Sequence, residues 1–191
     1  VPPDQEHRYD AFVKKLVLNR FIKSGDIVDF GGLARIPAEE FFGATLWQLN
    51  KAVDSPYKSL MKLMLLEAYA RQYPDIQILA MRFKQSVYGN RCALNLVDPY
   101  VMMCNAVEEY LFGQKEMERL ELVRRCFYFK VDLDLSRPGS REDWRRELMQ
   151  SLVSTWGWGQ QRLEDLDRRK RWKIRRVLEE QNLLVRELTR S

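Results

Sequence analysis

Apolar positions along the chain recur with a period near 3.6, and that rhythm predicts helices almost throughout. Residues 9, 12, 13, 16, 17 and 21 form one stripe, so a first helix is expected over Tyr9 to Phe21, broken by Ser24-Gly25-Asp26. Ile27 to Gly32 reads as a short irregular or strand-like stretch ending in Gly31-Gly32. Pro37 sits where a helix favours its first residue, with Glu39 and Glu40 suiting the positive end of the helix dipole. That helix is expected to reach Val53. Ser55-Pro56 reads as an N-cap followed by a first-turn proline, opening a helix that ends near Tyr73-Pro74. A further helix is expected from Asp75 to Tyr88, stopped by Gly89-Asn90. Asp98-Pro99 repeats the cap-and-proline signal before a very apolar helix to Phe112, with Gly113 as its stop. Lys115 to Val131 places Leu120, Val123, Phe127 and Val131 on one stripe. Pro138-Gly139 marks a loop, and Ser140 with Asp143 resembles a capping box for a helix to Trp156. Trp156-Gly157-Trp158-Gly159 reads as a turn anchored by two indoles. Arg162 to Leu188 reads as one long amphipathic helix with Leu163, Leu166, Ile174, Val177, Leu184 and Leu188 facing inward.

The expected fold is therefore all-α: a multi-helix packed domain of about eight helices, with one short irregular or strand-like segment near the N-terminus. The organisation read from the sequence is a connection over residues 1–36, a helical core over 37–135 and C-terminal helices over 136–191, together expected to form one continuous domain over 1–191. Opening on Val1-Pro2-Pro3 rather than on Met, the chain reads as an internal piece of a longer protein.

Composition narrows the function classes. With 46% hydrophobic and 31% charged residues the chain is globular rather than disordered, and nine glycines and seven prolines are too few for a turn-rich β fold. No apolar run approaches the ~18 residues that span a bilayer, and the strongest, Leu60 to Leu66, is interrupted by Lys62. Three cysteines, Cys92, Cys104 and Cys126, lack metal-ligand spacing and read as reduced thiols of a cytoplasmic protein. The single histidine, His7, is expected at the surface. Of the net charge of +5, +4 lies between Gln161 and Ser191. That basic tail admits a nucleic-acid reading, but Glu164–Arg168, Asp165–Arg169 and Asp167–Arg171 follow the i, i+4 order of a solvated helix laced by ion pairs. No nucleic-acid partner is expected.

One stretch carries more specific information. Glu39-Glu40-Phe41-Phe42-Gly43-Ala44-Thr45-Leu46-Trp47-Gln48-Leu49-Asn50-Lys51 resembles the signature of class I adenylate cyclases of the enterobacterial type, with Asn50 where that family usually has Tyr. The similarity continues through Asp54-Ser55-Pro56-Tyr57-Lys58 and Leu65-Leu66-Glu67-Ala68-Tyr69. It resumes at Asp98 to Met103, at Leu122 to Val131, at Trp144-Arg145-Arg146 and at Trp156-Gly157-Trp158. The resemblance implies a parent enzyme that converts ATP to 3′,5′-cyclic AMP and pyrophosphate, with Mg²⁺ as its cofactor. It also implies that the metal-binding carboxylates sit upstream, in a nucleotidyltransferase-like core, and that a regulatory region lies downstream. The isolated piece is then expected to be inactive. Asp132 and Asp134 spell Asp-x-Asp, but they close a helix, and two carboxylates at i, i+2 share a side only on a strand, so both are expected to face solvent.

For nucleotide contact the candidates are Lys51, Ser55, Lys58 and Lys62. Ser55, Lys58 and Lys62 stand at i, i+3, i+7 on one stripe at a helix N-terminus, where an anion is favoured, and Lys62 interrupts an apolar run. The competing interpretation is a narrow polar stripe on a helix belonging to a non-catalytic scaffold between the cyclase core and its regulatory region. Phe42 and Trp47 are expected in the core rather than against an adenine ring. Gly43, mid-helix, calls for a close neighbour.

Overall fold

A computed structural model describes residues 7–27, 36–89, 93, 97–137 and 143–190. Nine α-helices occur among the described residues: α1 (Tyr9–Leu18), α2 (Ala38–Ala52), α3 (Pro56–Gln72), α4 (Leu79–Tyr88), α5 (Pro99–Gly113), α6 (Met117–Val131), α7 (Trp144–Thr155), α8 (Gln160–Asp167) and α9 (Ile174–Arg190). No strand occurs among them. Of the strand-like stretch only Ile27 is described, in extended conformation (φ −104°, ψ 124°); residues 28–35 lie outside the described set, as do Cys92 and Ser140.

The core is built by α3, α5 and α6, with α7, the Trp156–Trp158 turn and α8 closing over it. Leu60, Met61 and Met64 of α3 meet Cys104, Val107 and Leu111 of α5 and Val123, Cys126 and Phe127 of α6, all buried. Met149, Val153, Trp156, Trp158, Leu163, Leu166 and Leu184 join the same cluster. Burying side chains of this size contributes roughly 1.5–3 kcal/mol each before conformational entropy is counted.

Local chemistry sets most ends as expected. Pro56 and Pro99 occupy the first helical positions of α3 and α5. Asp98 Oδ1 accepts from the N–H groups of Tyr100 (2.9 Å) and Val101 (3.0 Å), satisfying two orphan donors. Pro37 is displaced by one residue: its ψ of 144° makes it the N-cap of α2 rather than its first residue. The cap of α7 is Asp143, whose carboxylate accepts from the N–H of Arg145 at 3.1 Å. At the end of α7 the N–H groups of Gly157 and Trp158 reach the carbonyls of Ser154 (3.0 Å) and Val153 (2.9 Å), with Gly157 at φ +71°. This is a Schellman closure, and it folds the two indoles back on the core with ring centroids 4.9 Å apart. The same closure ends α5, but Lys115, at φ 59°, takes the left-handed position, while Gly113 remains the last helical residue.

Three expectations fail for tertiary reasons. The helix expected from Asp75 begins only at Leu79, whose N–H donates to the Tyr69 hydroxyl at 2.8 Å. The long helix over 162–188 is broken. After α8 come a 3₁₀ turn, Arg169–Arg171, and an extended Trp172 (ψ 140°). The Trp172 indole N–H donates to the Asp165 carbonyl at 2.9 Å, and its ring lies edge-on to Phe129. Two of the expected i, i+4 pairs are replaced: Asp165 pairs with Arg176 at 2.7 Å, and Asp167 accepts from the Tyr128 hydroxyl and the Ser136 N–H. Only Glu164–Arg168 forms, at 3.6 Å. The break also rotates α9, so that Ile174 (80% exposed) and Val177 (47%) point outward instead of inward. Finally, Phe42 (70%) and Trp47 (59%) are exposed rather than in the core, because α2 turns its Phe41, Ala44, Thr45 and Gln48 side toward α3.

Candidate functional site

The expected stripe begins where α2 hands over to α3. Ser55 is the N-cap of α3, and its side chain makes no capping hydrogen bond. Lys58 lies in the first turn and is half-buried; Lys62, one turn on, is half-buried between the buried Met61 and Leu63. A helix interior begins immediately beneath them, so each lysine lays its alkyl stem on apolar surface and carries its ammonium outward.

Two other elements meet Lys58. The capped N-terminus of α5 presents Tyr100, and the last turn of α6 presents Lys130. The Lys58 ammonium stands 5.7 Å from the Tyr100 ring centroid and that of Lys130 stands 4.6 Å from it. Both are within the range in which a cation is attracted by an aromatic face. Among the described residues, neither lysine forms an ion pair with a carboxylate. Beside them lies a cleft of about 300 Å³, lined by Asp98, Tyr100, Lys130, Trp144 and Arg145, with Val101, Phe127 and Met149 among its apolar walls. The arrangement brings two ammonium groups to one ring, while Asp98, the carboxylate that lines the cleft, is engaged in capping α5, and it is suited to holding an anion.

Lys51 does not join this cluster through Tyr100. Its ammonium lies 5.3 Å from the Trp47 ring centroid on α2. Lys130 and Tyr100 were missed as site residues from the sequence, because they come from separate helices and meet only after α3, α5 and α6 pack. Their one sequence signal was that each lies inside a stretch of family resemblance. Asp132, at φ 55°, caps the end of α6 in the left-handed conformation, and Asp132 and Asp134 are both exposed. No group of three or more His, Cys, Asp or Glu among the described residues is placed to hold a metal ion.

A larger cavity lies elsewhere. A groove of about 700 Å³ runs between Leu49 of α2 and its C-cap Val53, Tyr57 of α3 and the Val177–Leu184–Leu188 side of α9. Glu180, 6% exposed, lies at its floor, paired with Arg125 at 3.4 Å. Burial, with the Glu180 charge adding to it, pushes the Tyr57 hydroxyl up to about 12. The groove is mainly apolar, with Arg169 and the buried Glu180 both among its lining residues, whereas the lysine cluster sets two ammonium groups around one ring and is the better candidate for phosphate chemistry. A second ionic group is structural: Arg119, almost fully buried, forks onto Glu67 at 2.9 and 2.6 Å and meets Glu187 at 3.1 Å, while the Tyr110 hydroxyl donates to Glu67 at 2.8 Å.

Comparison with known proteins gives the family. A family model described as the second domain of class-I adenylate cyclase matches residues 36–191. Proteins named adenylate cyclase from Salmonella typhimurium, Yersinia intermedia and Proteus mirabilis are 45%, 44% and 41% identical to the chain over its whole length. The chain spans only 22% of the length of each of these relatives. No solved structure matches it.

Proposed function

The chain belongs to the class I adenylate cyclases, as their second domain, and from that premise we propose that it forms the helical part of an enzyme converting ATP to 3′,5′-cyclic AMP and pyrophosphate. In that reaction the ribose 3′-oxygen attacks the α-phosphorus and pyrophosphate leaves, so negative charge builds on the departing group. Lys58 and Lys130, positioned against Tyr100, hold the triphosphate and offset that charge; Ser55 and Lys62 extend the same stripe along α3. Preorganised charge of this kind acts more strongly on the transition state than on the ground state when the charge it meets is developing.

The observation that carries this reading is the pair of lysines around one ring with no carboxylate paired to either. Mg²⁺ is the cofactor the family implies, but the residues here do not fit it: Asp132 and Asp134 are exposed at a helix end, and the described residues gather no carboxylate cluster. We propose that the ligands of that ion lie elsewhere in the parent polypeptide.

The test uses the full-length parent. Lys58→Ala and Lys130→Ala should each lower kcat/KM for ATP at least about tenfold, equivalent to ~1.4 kcal/mol of transition-state stabilisation, with the melting temperature little changed. Lys58→Arg should rescue only in part, because a planar guanidinium differs in shape from a compact ammonium. Arg168→Ala, on an exposed turn, serves as the control that leaves activity near normal. Normal kinetics in all three lysine variants would favour the scaffold reading, in which this domain joins the cyclase core to its regulatory region. That reading is supported by the apolar surface left open on α2.

A further inference from the structure

We propose that the outward face of α2 is the seat of the domain that precedes this one in the same polypeptide. α2 is apolar on two sides. One side packs on α3; the other carries Phe42 and Leu46 outward, with Trp47 beside them, and runs on into Leu49 and the C-cap Val53, which also line the groove facing α9. Every one of these five side chains is exposed, Val53 to 85%. A lone exposed leucine is ordinary, but a contiguous stripe of this kind marks an interaction surface.

Gly43 lies on the same side of the helix. A Cβ built there would meet nothing within 4 Å. Glycine in a helix interior costs about 1 kcal/mol relative to alanine, and nothing within this domain requires it. Close approach of a backbone from outside would.

The occupant is identified by where α2 stands in the chain. It is the first helix of the segment matched as a second domain, residues 36–191. The element before it, α1, lies outside that match and has no buried residue. Phe12, Leu18 and Phe21 in and just after α1 are likewise exposed. Both open surfaces therefore flank the connection from the first domain, and the relatives are long enough to contain one, since this chain spans 22% of their length. The inference rests on family membership and not on nucleotide contact at Tyr100.

The experiment reads solvent access to α2 in the full-length protein. Leu46→Cys should react with a maleimide at least tenfold more slowly than Gln150→Cys, an exposed position on α7. Gly43→Leu, introduced beside Leu46→Cys, should obstruct docking and raise the labelling rate to within about twofold of Gln150→Cys. In residues 1–191 alone both positions should label rapidly. Equal rates at the two positions in full-length protein would overturn the proposal. Protection that disappears on dilution would assign the face to a second copy. Protection that survives removal of everything before residue 36 would assign it to a following region. Either result also overturns the proposal. Cyclase kinetics of Lys58→Ala do not enter this readout, so the two readings fail separately.

Discussion

The two faces of α6 are made of different chemistry. Toward α3 and α5 it presents Leu120, Val123 and Phe127, all within the continuous apolar core. Toward α9 it presents charge: Arg119 meets Glu187 at 3.1 Å, Arg125 meets Glu180 at 3.4 Å, and Glu116 at the helix entrance receives Arg190 at 2.7 Å. The apolar face gains from every atom removed from water. The ionic face must first desolvate its charges, so its net contribution to stability is small even though each partner depends on the other. α9 thus turns carboxylates toward the bundle and leaves Ile174, Leu178 and Val185 outside. The core holds the domain together; the ionic seam fixes where the last helix lies.

That difference predicts an order of effects. Phe127→Ala removes a large, fully buried side chain from the core and should cost about 3–5 kcal/mol, read as a loss of denaturation midpoint with the helical signal of the native state retained. On the other face, Arg125→Ala leaves the buried Glu180 carboxylate without its partner and should cost about 3 kcal/mol. The double variant Arg125→Met with Glu180→Leu should recover most of that loss, because neither charge then has to be desolvated. If the double variant is as unstable as the single, the seam is a net source of stability and the comparison fails. Asp98→Ala removes the cap of α5 and should cost about 1 kcal/mol in the same measurement. Arg175→Ala removes an exposed i, i+4 pair with Glu179 and should change stability by less than about 0.5 kcal/mol.

Legibility in the sequence followed the same division. The stripe at 120, 123, 127 and 131 and the Trp156-Gly157-Trp158 turn could be read directly, because spacing and a left-handed glycine express local physics. The ionic seam could not: Arg119 and Arg125 look like surface charges until α3 supplies Glu67 and α9 supplies Glu187 and Glu180. The apparent long helix over 162–188 failed because Trp172 prefers its contacts with Asp165 and Phe129 to helical continuity, a choice no periodicity encodes. Phe42 and Trp47 were read as core because their apolar character is real, yet α2 packs on α3 by its other side. At the candidate site, Lys58 was legible as a cation at a helix start, whereas Lys130 and Tyr100 required three helices to converge.

The candidate site depends on that convergence, and its most direct test is amide and side-chain NMR of residues 1–191 titrated with inorganic tripolyphosphate. The prediction is saturable shifts concentrated at Lys58, Tyr100 and Lys130, abolished by Lys58→Ala with Lys130→Ala while the rest of the spectrum stays dispersed. Shifts confined to the basic turn from Arg168 to Arg176, or none at Tyr100 at saturating tripolyphosphate, would contradict it.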